Sequence, residues 1–209
     1  VSTLAAYLSE ELAQLEAQGL LRPPAVAAAA SGLIDVSSND YLGYARTPVS
    51  RETVVQAAAG AGASRLIFGT HAQHCELERE LADWVGTPAA LLFPSGYAAN
   101  VGAISALVRP GDLVVSDQLN HASLIDGCRL ARATVAIVKH RNLDAAALAL
   151  RQPARGRRWV ITESYFSMDG DAPDLRALRA LCDENDAALF VDEAHSLGVF
   201  GPEGAGLAR

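Results

Sequence analysis

Between Cys75 and His195 the chain alternates short, almost wholly apolar runs with longer segments that place apolar residues three and four positions apart. The runs Ala89–Phe93, Leu113–Ser116, Val135–Val138, Trp159–Thr162 and Ala187–Val191 have the length of β-strands. The segments Glu76–Val85, Tyr97–Leu107, Ala122–Ala131, Leu143–Arg151 and Leu175–Glu184 have the spacing of helices; the last is expected to begin at Asp171-Ala-Pro173, with proline near its first turn. A strand that is apolar on both faces must be covered on both faces. The pattern therefore predicts a mostly parallel sheet between two layers of helices, a three-layer α/β/α fold. Ahead of it, Leu4 to Leu20 carries Leu4, Leu8, Leu12 and Leu15 on one stripe and ends at Gly19 and Pro23-Pro24, which predicts an amphipathic helix packed on a neighbour.

Ligands of such sheets bind beyond the carboxyl ends of the strands. Four polar clusters fall there: Pro94-Ser-Gly-Tyr97, Asn120-His121, Glu163–Gly170 and Asp192-Glu-Ala-His195. The last could hold magnesium for nucleotide hydrolysis, but that chemistry also needs a G-x-x-x-x-G-K-[ST] loop to neutralise the polyphosphate. The chain has no such loop, and its single lysine, Lys139, is followed by His140.

Composition narrows the field further. The 209 residues are half hydrophobic with a net charge of −7, which describes a globular chain without the basic footprint of a nucleic-acid binder. The apolar stretch Ala25–Ala30 is far too short to span a bilayer, and no leader pattern precedes it, so the expectation is a cytoplasmic protein with no membrane partner. Cys75, Cys128 and Cys182 are odd in number and widely spaced, as reduced thiols are. His71, His74 and Cys75 have no further ligand pair at suitable spacing, so no metal site is expected.

Six segments, in order, resemble the α-oxoamine synthases of the fold-type I pyridoxal-phosphate enzymes. They are Ser37–Gly43, Gly62–Arg65, Ser95–Asn100, Asn120–Ser123, Thr162–Asp171 and Val191–Gly198. The resemblance implies the large domain of a fold-type I PLP-dependent transferase, incomplete at the C-terminus, with residues 1–58 as an amino-terminal helix and arm and residues 59–209 as part of the cofactor-binding domain. The activity it implies is decarboxylative condensation of an amino acid (alanine, with glycine or serine in sibling enzymes) with an acyl thioester, in a homodimer.

The resemblance also assigns roles. Asp192 is expected against the pyridine nitrogen, where a negative charge raises proton affinity. His195 is expected at the phenolic oxygen, with Ser167 and Glu163 close to the same pocket, and His121 flat over the ring and touching substrate. Ser95, Gly96 and Tyr97 are expected to bind the phosphate through the N–H groups of a helix start, directly after the strand Ala89–Phe93. Asn39 and Arg22 are expected to contact substrate. Taken alone, Asn120–Ser123 reads as an ordinary helix start capped by Asn or Ser, Ser95–Tyr97 as a plain turn, and Asn39 as an Asx-turn residue. Ala63 stands where the family has a glycine.

The family's Schiff-base lysine, which tethers the cofactor and moves the α-proton, is expected beyond Arg209, and Lys139 cannot replace it. The sequence is then either the front part of a longer synthase or a lysine-free partner subunit. Intact Asp192, His195 and His121 favour the first. Without its sheet neighbours Ala89–Phe93 is expected to be an aggregation hazard.

Overall fold

The computed structural model describes residues 3–22, 36–48 and 60–209. The chain divides into two compact units, residues 1–38 and 39–209. In the first, Thr3 caps helix α1 (Leu4–Ala17) by accepting the Ala6 N–H, and the stripe Leu4, Leu8, Leu12 and Leu15 is exposed.

The second unit holds helices α2 (Ala72–Val85), α3 (Gly96–Leu107), α4 (Ala122–Ala131), α5 (Leu143–Leu150) and α6 (Leu175–Glu184), and strands β1 (Leu113–Asp117), β2 (Thr134–Val138), β3 (Arg158–Glu163) and β4 (Ala187–Asp192). All strand pairs are parallel, in the order β2-β1-β3-β4. Side chains alternate between the faces of the sheet. Val114, Trp159 and Ile161 pack under Ile104 of α3 and Leu124 and Cys128 of α4, while Val115 and Val160 pack under Leu150 of α5 and Leu181 and Cys182 of α6. The expected three-layer parallel architecture is therefore present, with one apolar cluster on each face.

Short polar side chains set the helix starts. Ser95, Asn142 and Asp174 accept the N–H groups of Ala98, Ala145 and Ala177, each satisfying a donor that the first turn leaves without a partner. Pro173 thus precedes the cap of α6 and does not sit in its first turn. At the opposite end of the sheet the buried Asp112 accepts from the N–H groups of Arg109 and Arg157 and from the Trp159 indole. Gly156 makes this approach possible, because a Cβ there would strike the Asp112 carboxylate. Cys128 and Cys182 are buried free thiols, the former pushed up to about 11 by desolvation.

Ala89–Phe93 is not a strand. It runs without a ladder partner between α2 and α3. Its apolar residues meet the compositional requirement for a strand, but β-structure also needs a neighbouring edge, and no described strand offers one. Side chains replace the ladder: Glu78 accepts the Leu92 N–H at 2.8 Å, and Arg65, paired with Glu78 at 2.6 Å, donates to the Leu92 carbonyl at 3.3 Å.

Candidate active site at the strand ends

The geometry is built around α3. The helix begins directly after Ser95, so the N–H groups of Gly96 and Tyr97 have no acceptor among the described residues, while that of Ala98 is taken by Ser95. Gly96 has no atom within 4 Å of where a Cβ would stand, which leaves the helix N-terminus open to an anion. The Tyr97 hydroxyl turns away to donate to Asp126 at 2.7 Å.

One turn further along α3, buried Asn100 reaches the end of β4. Its Nδ2 donates to Asp192 Oδ2 at 2.7 Å, and the Ala194 N–H donates to Oδ1 of the same carboxylate at 2.8 Å. Asn100 Nδ2 also lies 2.9 Å from the hydroxyl of fully buried Ser123, which lies 2.7 Å from Nδ1 of His121. His121, not Asn120 or Ser123, is the N-cap of α4: its Nδ1 accepts the Ser123 N–H at 3.2 Å. Asn120 instead points into the sheet, its amide nitrogen donating to Ser116 and to the Ile161 carbonyl while its buried Oδ1 has no partner among the described residues.

Glu163 closes the group from β3. It pairs in register with Asp192, so both carboxylates project on the side of the sheet that α3 and α4 cover. It is 5 % exposed and accepts the His121 N–H at 2.7 Å. Desolvation pushes its pKa up to about 7 against the pull of that hydrogen bond, and the charges of Asp192 and Asp117 add to the rise. His195 lies in the turn after β4, where its Nδ1 is 2.6 Å from the hydroxyl of Tyr41. With Tyr41 donating, the ring proton resides on Nε2.

A second charged cluster occupies the other side of the same strand ends. His140, just past β2, lies 3.0 Å from Asp117 through Nδ1 and 3.0 Å from Asp171 through Nε2, and Arg141 pairs with Asp171 at 2.6 Å. Burial works against charge on the ring, yet the two carboxylates outweigh it and the His140 pKa is raised. The pair Phe166–Asp171 forms an antiparallel bridge, so this cluster anchors the turn that carries Ser167.

The structure thus brings Ser95, Gly96, Tyr97, His121, Glu163, Asp192 and His195 to one end of the sheet. Ser167 lies exposed on its turn without a hydrogen bond to the group. Asn39 is exposed in the second unit, and Arg22 is exposed in the first without a partner among the described residues. Asn100, Ser123 and Tyr41 were not expected. Each lies inside a segment that carried the resemblance, but no spacing rule links residues 23, 92 and 154 positions apart. The single lysine, Lys139, is exposed at the end of β2, the edge of the sheet opposite β4.

The chain is similar to proteins of known identity. The 8-amino-7-oxononanoate synthase of Anaeromyxobacter sp. (strain K) is 46 % identical over 97 % of this chain and 54 % of its own length. That of Mycobacterium bovis (strain BCG / Pasteur 1173P2) is 49 % identical over 87 % of this chain and 47 % of its own. The chain therefore spans about half the length of the curated relatives it matches. Among solved structures, Sphingomonas wittichii serine palmitoyltransferase superposes with a TM-score of 0.85 at 29 % identity, covering 98 % of this chain and 56 % of that one. The 8-amino-7-oxononanoate synthase of Francisella tularensis gives a TM-score of 0.70 at 29 % identity, covering 84 % and 49 %. Residues 31–208 match the family model for aminotransferase class I and II, and the chain belongs to that family.

Proposed function

We propose that this sequence forms the cofactor-binding part of an α-oxoamine synthase, 8-amino-7-oxononanoate synthase, which condenses L-alanine with a pimeloyl thioester and releases carbon dioxide in biotin biosynthesis. One observation carries the reading. A single helix, α3, both presents the free N–H groups of Gly96 and Tyr97 and holds the Asp192 carboxylate through Asn100 one turn later. An anion site and a fixed carboxylate on one rigid element suit a cofactor that has a phosphate at one end and a basic ring nitrogen at the other. The names of the relatives support the choice of synthase.

Pyridoxal phosphate, when bound, supplies an electron sink for the α-carbon of the amino acid. The chain's own residues do the rest. Ser95 caps α3 and leaves Gly96 and Tyr97 to bind the phosphate. Asp192 would hold a proton on the ring nitrogen, and Asn100 and the Ala194 N–H keep its carboxylate in place. His195, with Nδ1 occupied by Tyr41, would offer Nε2 to the phenolic oxygen, and Ser167 would serve the same edge of the cofactor. His121 would cover the ring face. Glu163 holds the main chain of His121 in place by accepting its N–H. By the family resemblance Asn39 and Arg22 would contact substrate. Lys139, exposed on the far edge of the sheet, has no part in tethering the cofactor, and the lysine that does so lies outside this sequence. By the resemblance and the net charge of −7 the working protein would be a cytoplasmic homodimer without nucleic-acid or membrane partners.

The full-length protein, assayed with alanine, glycine and serine against pimeloyl and palmitoyl thioesters, tests the reading. Alanine with the pimeloyl thioester is the expected pair. Preference for serine and a long acyl chain would move the assignment to the sibling that the serine palmitoyltransferase likeness suggests. Failure with every pair, together with no pyridoxal-phosphate absorbance, would leave a non-catalytic subunit. Borohydride reduction and peptide mapping add a check: a pyridoxyl adduct on Lys139 would overturn the lysine argument.

A further inference from the structure

The proton positions along Asp192, Asn100, Ser123 and His121 are fixed by elimination. An ionised carboxylate only accepts, so Asn100 must present its amide nitrogen, not its oxygen, to Asp192 Oδ2 at 2.7 Å. That nitrogen carries two hydrogens, and the second points at Ser123 Oγ, 2.9 Å away. Ser123 therefore accepts from Asn100 and has its single hydrogen left to give. The other polar atom within reach of the hydroxyl is His121 Nδ1 at 2.7 Å. The Ser123 main-chain N–H aims at the same Nδ1 from 3.2 Å. Two donors thus converge on one ring nitrogen.

The reverse arrangement fails. With a hydrogen on Nδ1, the ring would oppose the Ser123 N–H hydrogen to hydrogen. Ser123 would then accept twice, leaving its own hydrogen without an acceptor at a fully buried position. Nδ1 is consequently bare, and the ring proton is on Nε2, which has no partner among the described residues; His121 itself is exposed.

We propose that Asn100 and Ser123 are positioning residues that lock His121 in its neutral Nε2–H form and tie that form to the negative charge on Asp192. His121 then meets its ligand as an uncharged N–H donor, suited to an oxygen atom of a bound carboxylate or carbonyl compound. The inference rests on the proposed function only in treating Asp192 and His121 as facing the same ligand. The hydrogen-bond chain itself belongs to the polypeptide.

The full-length protein, labelled with ¹⁵N-histidine and free of added ligand, provides the test at about pH 8, where an ordinary imidazole is neutral. Long-range ¹H–¹⁵N correlations separate the two tautomers, and the His121 signals are identified by their loss in H121N. The expected result is a single Nε2–H pattern for His121. S123A is expected to replace it with averaged shifts from both tautomers, and S123T, which keeps the hydroxyl, to retain it. D192N removes the charge at the far end of the chain without touching the ring, and it too is expected to move the His121 nitrogen shifts. An Nδ1–H pattern in the native protein overturns the proposal, as does a His121 spectrum unchanged in both S123A and D192N. The measurement needs neither cofactor nor turnover, so an inactive protein with the expected spectrum would refute the functional reading and leave this one standing.

Discussion

A carboxyl group at the buried end of a parallel strand is hard to ionise when its neighbours are also acidic, and Glu163 is in that position. Its pKa is pushed from 4.5 up to about 7, first by desolvation and then, against the His121 hydrogen bond, by the charges of Asp192 and Asp117. A folded-state pKa above the unfolded one means that the folded chain holds this proton more tightly. The contribution to stability is complete below about pH 4.5 and is lost as pH rises through about 7. E163Q keeps an oxygen for the His121 N–H and cannot ionise. Its melting temperature, relative to the native protein, should therefore rise steadily from about pH 5 to about pH 8; parallel melting curves across that window would refute the assignment. At this scale the sequence pointed to Asp192, His195 and His121 through the family resemblance, and the structure sets all three at the strand ends. The sequence concealed Asn100, Ser123 and Tyr41. Asn, Ser and Tyr serve equally as caps, turn residues or surface groups, and what distinguishes them here is a partner far away in the chain.

Among the elements, the four strands β1 to β4 and helices α3 to α6 follow the apolar pattern closely, since burial on two faces or one is what that pattern encodes. Ala89–Phe93 departs from it because a run of apolar residues states a demand for burial and says nothing of whether a sheet edge is available. The cap of α4 departs for a different reason: an imidazole nitrogen accepts an N–H as a serine oxygen does, and His121 fills the position normally read as Asn or Ser. The segment before α3 depends instead on Glu78, whose carboxyl is lowered to about 2 by the hydrogen bond from Arg65 and then by the Leu92 N–H. A depressed pKa gives stability that is present above the ordinary value of 4.5 and lost as pH falls through about 2. E78A should lower the melting temperature at neutral pH and speed amide exchange at Leu92, with the difference from the native protein shrinking as the medium approaches about pH 2. Unchanged exchange at Leu92 would show that something other than Glu78 holds this segment.

For the molecule as a whole, the parallel three-layer arrangement was legible but the order of its strands was not, because all four carry the same apolar pattern. That order has a consequence. β1 is buried along its length and β3 nearly so, whereas β4 is only half-buried beyond Ala187 and is paired on one side alone among the described strands. In the same unit Leu66, Ile67, Phe68 and Leu91 are 98, 79, 91 and 67 % exposed. Burying a side chain of this size contributes about 1.5–3 kcal/mol, so these four together forgo roughly 6–12 kcal/mol. That is on the order of the entire net stability of a domain, about 5–15 kcal/mol. An open parallel edge together with apolar surface of this extent favours association over a free monomer. The 209-residue chain produced by itself should therefore elute as oligomers or aggregates, bind a hydrophobic dye and melt without a sharp transition. Light scattering coupled to size exclusion and a thermal scan would decide the matter. A soluble monomer with one cooperative transition and no dye binding would mean that the open edge and the exposed apolar residues are tolerated, and that their cost is smaller than the burial figures imply.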